Sequence, residues 1–439
     1  MRKMKDSGIA WIGEIPEECD IMRTSRAYSS VLGKMVCSSP ATPADKKLPY
    51  ICAKDVHFDN VDFSDLKAMW FSPKEEELYS LAAGDLLVVE GGAGAGGAAT
   101  IPSGTDVHGI CFQNSLHRIR ATSDAYNTRY LMYYIGMLVQ GNYVDYVCNK
   151  ATIPHFTKDK IMSIPLVKWP VEQQRAIVTF LDAKCSAMDE AIRKAERLIE
   201  KLDAFKQSLI TETVTKGLHP EVARKDSGVE WIGEIPETWY VHKMGWSYNI
   251  ELGKMLDEKR IDAQNTKSYL RNSDVQWGHI NLDDLQEMTF KPEELKRYRV
   301  LPGDLLVCEG GEIGKCAIVP EDFPDDIYYQ KALHRIRVRQ GQNGNVRFLA
   351  YVLFCMAKNQ CFTSSSDKAT IAHLTGEQLK ATKVPFPPAD EQREIATFLE
   401  EKCAAIDANL AKRRALIERL SDYKRSLIYE VVTGKREVG

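Results

Sequence analysis

The sequence predicts an α+β chain in which two globular mixed α/β regions are joined by two long antiparallel coiled-coil helices, arranged as a pseudo-twofold tandem repeat. Three observations predict it: a set of motifs that recurs after about 218 residues, short apolar runs ending in glycine clusters, and two sustained heptad seams. A chain of 439 residues allows two or three domains.

The repeat organises everything else. Asp6-Ser-Gly-Ile-Ala-Trp11-Ile-Gly-Glu-Ile-Pro16 returns as Asp226-Ser-Gly-Val-Glu-Trp231-Ile-Gly-Glu-Ile-Pro236. Leu32-Gly-Lys-Met35 returns as Leu252-Gly-Lys-Met255, and Gly84-Asp-Leu-Leu-Val-Val-Glu-Gly-Gly92 as Gly303-Asp-Leu-Leu-Val-Cys-Glu-Gly-Gly311. Leu116-His-Arg-Ile-Arg120 matches Leu333-His-Arg-Ile-Arg337, and Lys150-Ala-Thr-Ile-Pro-His-Phe-Thr157 matches Lys368-Ala-Thr-Ile-Ala-His-Leu-Thr375. The order is kept and the offset is nearly constant, so two tandem copies account for almost the whole chain. Between the matched islands, as over 36–83 and 256–302, little is shared beyond Phe-x-Pro-x-Glu at Phe71 and Phe290. One scaffold with divergent stretches is the pattern of two halves that read different things.

Within each copy the apolar runs Asp85–Glu90 and Asp304–Glu309 read as buried strands. Leu116–Arg120 and Leu333–Val338 alternate apolar with basic residues, as a half-exposed strand does, and Arg129–Val139 and Val346–Ala357 read as apolar helices. Prolines at 165, 170, 385, 387 and 388 close each globular region.

A long helix follows each region. In the first, Ile177, Leu181, Cys185, Met188, Ile192, Ala195, Ile199, Leu202 and Leu209 step by threes and fours for most of its length. In the second, Ile395, Leu399, Cys403, Ile406, Leu410, Ile417, Leu420 and Leu427 do so, with Arg413 as the one break. Acidic residues after proline suit the positive end of each helix dipole, and Lys216-Gly217 suits the stop of the first. About 40 residues make rods roughly 60 Å long. Such rods need an apolar partner, and each other's seam is the expected one. The expected segments are 1–170, 171–217, 218–388 and 389–439.

Composition excludes several classes. With 44% hydrophobic and 27% charged residues the chain reads as globular. Fifty-eight Lys+Arg against 61 Asp+Glu give a net charge of −3, so it is no uniformly basic coat. Its apolar runs are too short for a membrane helix, and the basic start lacks the apolar stretch of a signal peptide. Eleven cysteines without a C-x-x-C pair argue against a disulfide scaffold or zinc finger. A cytoplasmic protein is expected.

No catalytic set stands out. Gly91-Gly-Ala-Gly-Ala-Gly-Gly97 and Gly310-Gly-Glu-Ile-Gly-Lys315 lack the ending of a P-loop, so they read as tight strand-to-strand turns. Glu294-Leu-Lys296 after Asp283-Asp284 has the look of a nuclease metal site, but the other copy has Glu77 opposite Lys296. A charged helix start is the better reading. His117 and His334 have no nearby ligand pair, so they read as packed or surface histidines rather than metal ligands.

The ordered, duplicated motifs strongly resemble the specificity subunits of type I restriction–modification systems, over nearly all of the chain. The marks are Asp-Ser-Gly-x-x-Trp-Ile-Gly-Glu-Ile-Pro-Glu, Gly-Asp-Leu-Leu-Val-x-Glu-Gly-Gly, and Glu-Gln-x-x-Ile. The last is clean as Glu391-Gln-Arg-Glu-Ile395, whereas Glu172-Gln-Gln-Arg-Ala-Ile177 is one residue longer. The resemblance implies two target recognition domains, each reading half of a bipartite, asymmetric site in double-stranded DNA. It also implies that the helices form a spacer holding two methyltransferase subunits, with restriction/translocase subunits able to join. Catalysis, S-adenosylmethionine, ATP and magnesium would belong to those partners, leaving this chain non-catalytic and without a cofactor or metal of its own.

For DNA contact, Lys54 and Asp55 occupy a place comparable to Arg271 and Asn272, of which Arg271 suits guanine and Asn272 adenine. Lys315, Lys150 and Lys368, with Thr152 and Thr370 beside the last two, are the remaining candidates, the lysines for phosphate. The candidate seam is Leu181, Met188, Ile192, Ile199 and Leu202 against Leu399, Ile406, Leu410, Ile417 and Leu420.

Overall fold

The computed structural model describes residues 2–92, 94–141, 155–256, 265–362 and 373–438. The chain divides into two compact units, Met1–Ala195 with Arg414–Gly439, and Glu196–Arg413. Both cuts fall inside the long helices Val171–Lys216 and Ala389–Val432. Each unit therefore consists of one globular region, the start of one long helix and the end of the other.

In the first unit a four-stranded antiparallel sheet has the order Ala98–Thr100, Leu86–Val89, Leu116–Ala121, Tyr28–Leu32. Leu86–Val89 is buried throughout, as its uninterrupted apolar run requires. Beside it lies a three-stranded sheet in the order Cys111–Phe112, Lys46–Ile51, Lys67–Phe71, whose first pair is parallel. The helix Thr128–Gln140 starts where the Asn127 side chain accepts the N–H groups of Arg129 and Tyr130.

The second unit repeats this plan strand for strand. Its four-stranded sheet runs Cys316–Ile318, Leu305–Cys308, Leu333–Val338, Tyr248–Leu252, and its three-stranded sheet Tyr328–Tyr329, Thr266–Leu270, Gln286–Thr289. Asn345 caps Val346–Lys358 as Asn127 caps its counterpart. The register repeats too: Leu116 faces Val89, and Leu333 faces Cys308.

The strand carrying Leu-His-Arg-Ile-Arg differs from the half-exposed strand the alternation predicts. Leu116, His117, Arg118 and Ile119 are all buried, as are Leu333, His334, Arg335 and Ile336. It is one of the two inner strands of the sheet, and the Arg118 and Arg335 guanidinium groups donate to carbonyls of the chain itself.

The long helices pack both on each other and on the globular part of their unit. In the first unit Ile177, Leu181, Cys185 and Met188 share one core with Tyr130–Leu138 and with Leu427, Ile428, Val431 and Val432. The two segments run antiparallel there: Lys424 bonds Asp189 at 2.7 Å, and Gln173 meets the Val438 carbonyl. In the second unit Ile210 and Val214 join Ile395, Leu399 and Cys403, with Lys206 on Asp407 at 2.6 Å. Of the seam, Leu181, Met188, Leu399, Ile406 and Leu410 are buried, while Ile192, Ile199, Leu202, Ile417 and Leu420 are half-buried. Burial is deepest where the helices also touch a globular core.

The one-residue mismatch between the two helix starts disappears when glutamine is aligned on glutamine. Gln174 and Gln392 are both buried, and each donates at 2.8 Å to a carbonyl five residues back, Trp169 and Pro387 respectively.

Candidate nucleic-acid interface

Several repeated motifs turn out to build the frame. Gly33 and Gly253 pass against a neighbouring strand end so closely that a β-carbon would lie 2.3 Å from the Gln113 carbonyl oxygen and 2.2 Å from that of Gln330. Only glycine fits there. The next residue, Lys34, donates to Glu75 at 2.6 Å, and Lys254 pairs likewise with Glu294. Glu75 closes a capping box with Ser72 at the start of the helix Pro73–Tyr79, and Glu294 accepts the Lys291 N–H at the start of Pro292–Tyr298. Burial opposes ionisation of Glu75, yet the Lys34 ammonium and the Ser72 N–H hold its carboxyl below the usual range. Glu294 is therefore a helix cap with a counterpart in the other unit, which removes the nuclease-like reading of Glu294 and Lys296.

The inner strands carrying Leu-His-Arg-Ile-Arg are equally structural. Arg118 and Arg335 lie over the rings of Phe112 and Tyr329 and donate to the Ser80 and Arg297 carbonyls. His117 is 1% exposed, and burial together with the Lys158 charge pushes its pKa down to about 4. Burial also lowers His334, which meets the Leu374 carbonyl at 2.7 Å. Both are packed histidines.

Both glycine clusters are strand-to-strand turns, with Gly92 and Gly96, then Gly311 and Gly314, at positive φ. The glutamate before each cluster ties down a distant segment through its backbone: the Phe156 N–H donates to the Glu90 carbonyl and the Leu374 N–H to that of Glu309. Chain returning from the two Lys-Ala-Thr-Ile segments is thus anchored at the glycine turn in each unit. Lys150, Thr152, Lys368 and Thr370 themselves lie outside the described residues.

Of the other candidates, Lys54 is exposed and lies 3.5 Å from Asp55 and 3.6 Å from Asp65. Asp55 is buried and accepts the Cys52 N–H at 2.9 Å, so it closes its loop. Asp274 holds the equivalent place and accepts the Arg271 N–H at 2.7 Å. It also binds the Arg271 guanidinium, which donates further to the Asp284 carbonyl. Asn272 donates to the Gly310 carbonyl at 2.8 Å, and Lys315, 9% exposed, reaches Gln276 at 3.3 Å. The structure brings Asn272, Lys315 and the glycine turn together in the second unit, with Arg271 committed to its own loop. Sequence reading missed Gln276, an exposed hairpin residue whose counterpart is His57. Aligning Val56-His57 with Val275-Gln276 was the signal that could have found it.

Among the described residues no group of acidic, histidine and cysteine side chains is placed to hold a metal ion, and no helix is long and apolar enough to cross a membrane. Residues 236–419 match the family model described as the type I restriction modification DNA specificity domain. The chain is 24% identical over 337 residues to the putative type I restriction enzyme MjaX specificity subunit of Methanocaldococcus jannaschii, covering 76% of this chain and 72% of that one. It is 27% identical over 299 residues to the MjaVIII specificity subunit of the same organism, covering 65% of each. In fold it is similar to a solved chain from work titled as the structural basis of complex assembly and conformational transition of the type I R-M system. That likeness has a TM-score of 0.71 at 15% identity, over 96% of this chain and 99% of that one. The tandem frame and the paired long helices agree with these findings: the second half of the chain matches the type I restriction modification DNA specificity domain, and most of its length is similar to type I restriction enzyme specificity subunits.

Proposed function

We propose that this chain is the DNA-reading subunit of a type I restriction–modification complex, in which each globular region reads one half of a bipartite, asymmetric site. One observation carries the reading: two units with the same strand orders and register differ at loop and hairpin positions such as Cys52/Arg271, Ala53/Asn272 and His57/Gln276. A frame repeated for positioning, with side chains varied for discrimination, is what two base-reading surfaces require. Segments 1–170 and 218–388 serve as recognition domains, and 171–217 and 389–439 as the spacer. Two tethered readers raise each other's effective concentration at the DNA. Half-site centres roughly 34–36 Å apart fit one helical turn.

Two methyltransferase subunits and the restriction subunits are the partners in this reading. They carry S-adenosylmethionine, ATP, magnesium and the chemistry, while this chain works in the cytoplasm without a cofactor. Lys54, Lys150, Lys315 and Lys368 serve as phosphate contacts, Thr152 and Thr370 support them, and Asn272 and Gln276 face bases. Asp55 and Arg271 act by holding the reading loops. The test is footprinting of the reconstituted chain–methyltransferase complex on a random DNA library. Selective protection of one bipartite, non-palindromic sequence is expected, and sequence-independent protection would overturn the reading.

A further inference from the structure

The two units differ in how they fill the groove between the globular helix and the long helices. In the first unit the hairpin turn residue Phe58 lies directly over Gly136, where a β-carbon would sit 2.0 Å from the ring. The ring packs edge-on to Tyr133, and the Lys424 ammonium lies 5.7 Å from its centre. Its neighbour Asp59 pairs with Arg129 at 2.8 Å, and Met132, Tyr133 and Gly136 are buried.

In the second unit the equivalent residues reverse this packing. Phe354 stands where Gly136 does, so Trp277 cannot take the place of Phe58. Trp277 instead meets the edge of Phe354 with ring centres 5.0 Å apart and donates its indole N–H to Glu312 at 2.7 Å. Ala350 replaces Met132 and Gly278 replaces Asp59, removing the other two fillers. The result is a cavity of about 300 Å³, at the lower bound of small-molecule sites, walled by Trp277, Tyr351, Phe354, Ile318 and Ile210. Ala350, Tyr351 and Phe354 are accordingly half-buried. The charges at its rim are paired, Lys206 with Asp407 at 2.6 Å and Arg347 with Glu400.

We infer that this cavity is a binding site for a small, uncharged aromatic molecule carrying one hydrogen-bond donor, of the indole or phenol class. The first unit supplies the chemical argument, since there the equivalent hairpin turn and helix face, with Tyr133 in the place of Tyr351, enclose a phenyl ring of the chain itself. The paired rim charges disfavour an ion, while the Glu400 and Asp407 carboxylates can accept one N–H or O–H. The inference is independent of the DNA-reading assignment.

The test uses the full-length chain and indole. Calorimetric titration is expected to show one saturable site with a Kd below about 1 mM. Ala350→Met and Gly278→Asp restore the residues the first unit carries at these positions, so they are compatible with the fold. Together they are expected to weaken indole at least about tenfold with thermal stability unchanged or raised. No saturable binding up to about 10 mM, or binding that the double variant leaves intact, overturns the inference. Loss of methyltransferase assembly in the double variant without indole binding by the parent also overturns it, in favour of an anchor for a partner's side chain.

Discussion

Arg120 donates to Asp85 at 2.8 Å, and Asp85 is 3% exposed; Arg337 holds Asp304 in the same way at 2.7 Å. This pair joins two separate repeated motifs, Gly-Asp-Leu-Leu and Leu-His-Arg-Ile-Arg, across adjacent strands. Asp85 also accepts the Ala82 N–H at 2.8 Å, as Asp304 accepts that of Leu301. Replacing Asp85 with Ala strands the turn and the guanidinium together. Asp85→Ala is expected to destabilise the first unit by about 2–4 kcal/mol, and Asp304→Ala the second by a similar amount. Denaturant unfolding of each variant checks this, and a loss below about 0.5 kcal/mol would contradict it.

Glu294 and Lys296 separate a structural reading from an enzymatic one. Glu294→Ala removes the acceptor of the Lys291 N–H and the partner of Lys254, with an expected cost of about 1–2 kcal/mol. Lys296→Ala is expected to cost under about 0.5 kcal/mol. A magnesium-dependent nuclease activity of the purified chain that either substitution abolished would contradict the account.

The close approach at Gly33 gives a steric prediction. Gly33→Ala must push a β-carbon into the Gln113 backbone, with an expected loss of about 1–3 kcal/mol. Gly94→Ala meets nothing nearer than 3.9 Å and serves as the control, with a change within about 0.5 kcal/mol. Equal melting shifts for the two variants would count against the described strand contact.

Acid should weaken the fold through its packed histidines. The folded pKa of His117 is about 4 against an ordinary value of 6.5, so the unfolded chain takes up the proton first. The stability this group contributes is complete above about pH 6.5 and is lost as pH falls towards 4, up to about 3 kcal/mol. His334 shifts in the same direction and adds to the effect. His117→Gln is expected to flatten part of the decline between pH 6.5 and 4.5 in denaturant midpoints, and an unaltered slope would refute this origin.

Much of this architecture was legible because it is local. The repeat, the apolar strands and the heptads lie in short windows, and the helix stop at Gly217 follows from its positive φ. The inner strand was misread because buried Arg118 finds its acceptor at the Ser80 carbonyl, 38 positions away. Pattern alone cannot see such a partner, so an alternating basic strand looks half-exposed. The candidate site was less legible for the same reason. Arg271 looks like a base reader in sequence, but Asp274 and the Asp284 carbonyl take its donors. The exchange of Phe58 and Gly136 for Trp277 and Phe354 became readable only once a hairpin turn and a helix face were seen to meet.

The central claim is that this chain chooses the DNA sequence its partners modify. Its most direct test is an adenine-methylation map of a host expressing the chain with its neighbouring methyltransferase, compared with a strain lacking only this chain. The account predicts the loss of one bipartite, non-palindromic methylated motif, with each half changing separately when one recognition domain is replaced. A methylated motif that persists without the chain would contradict it.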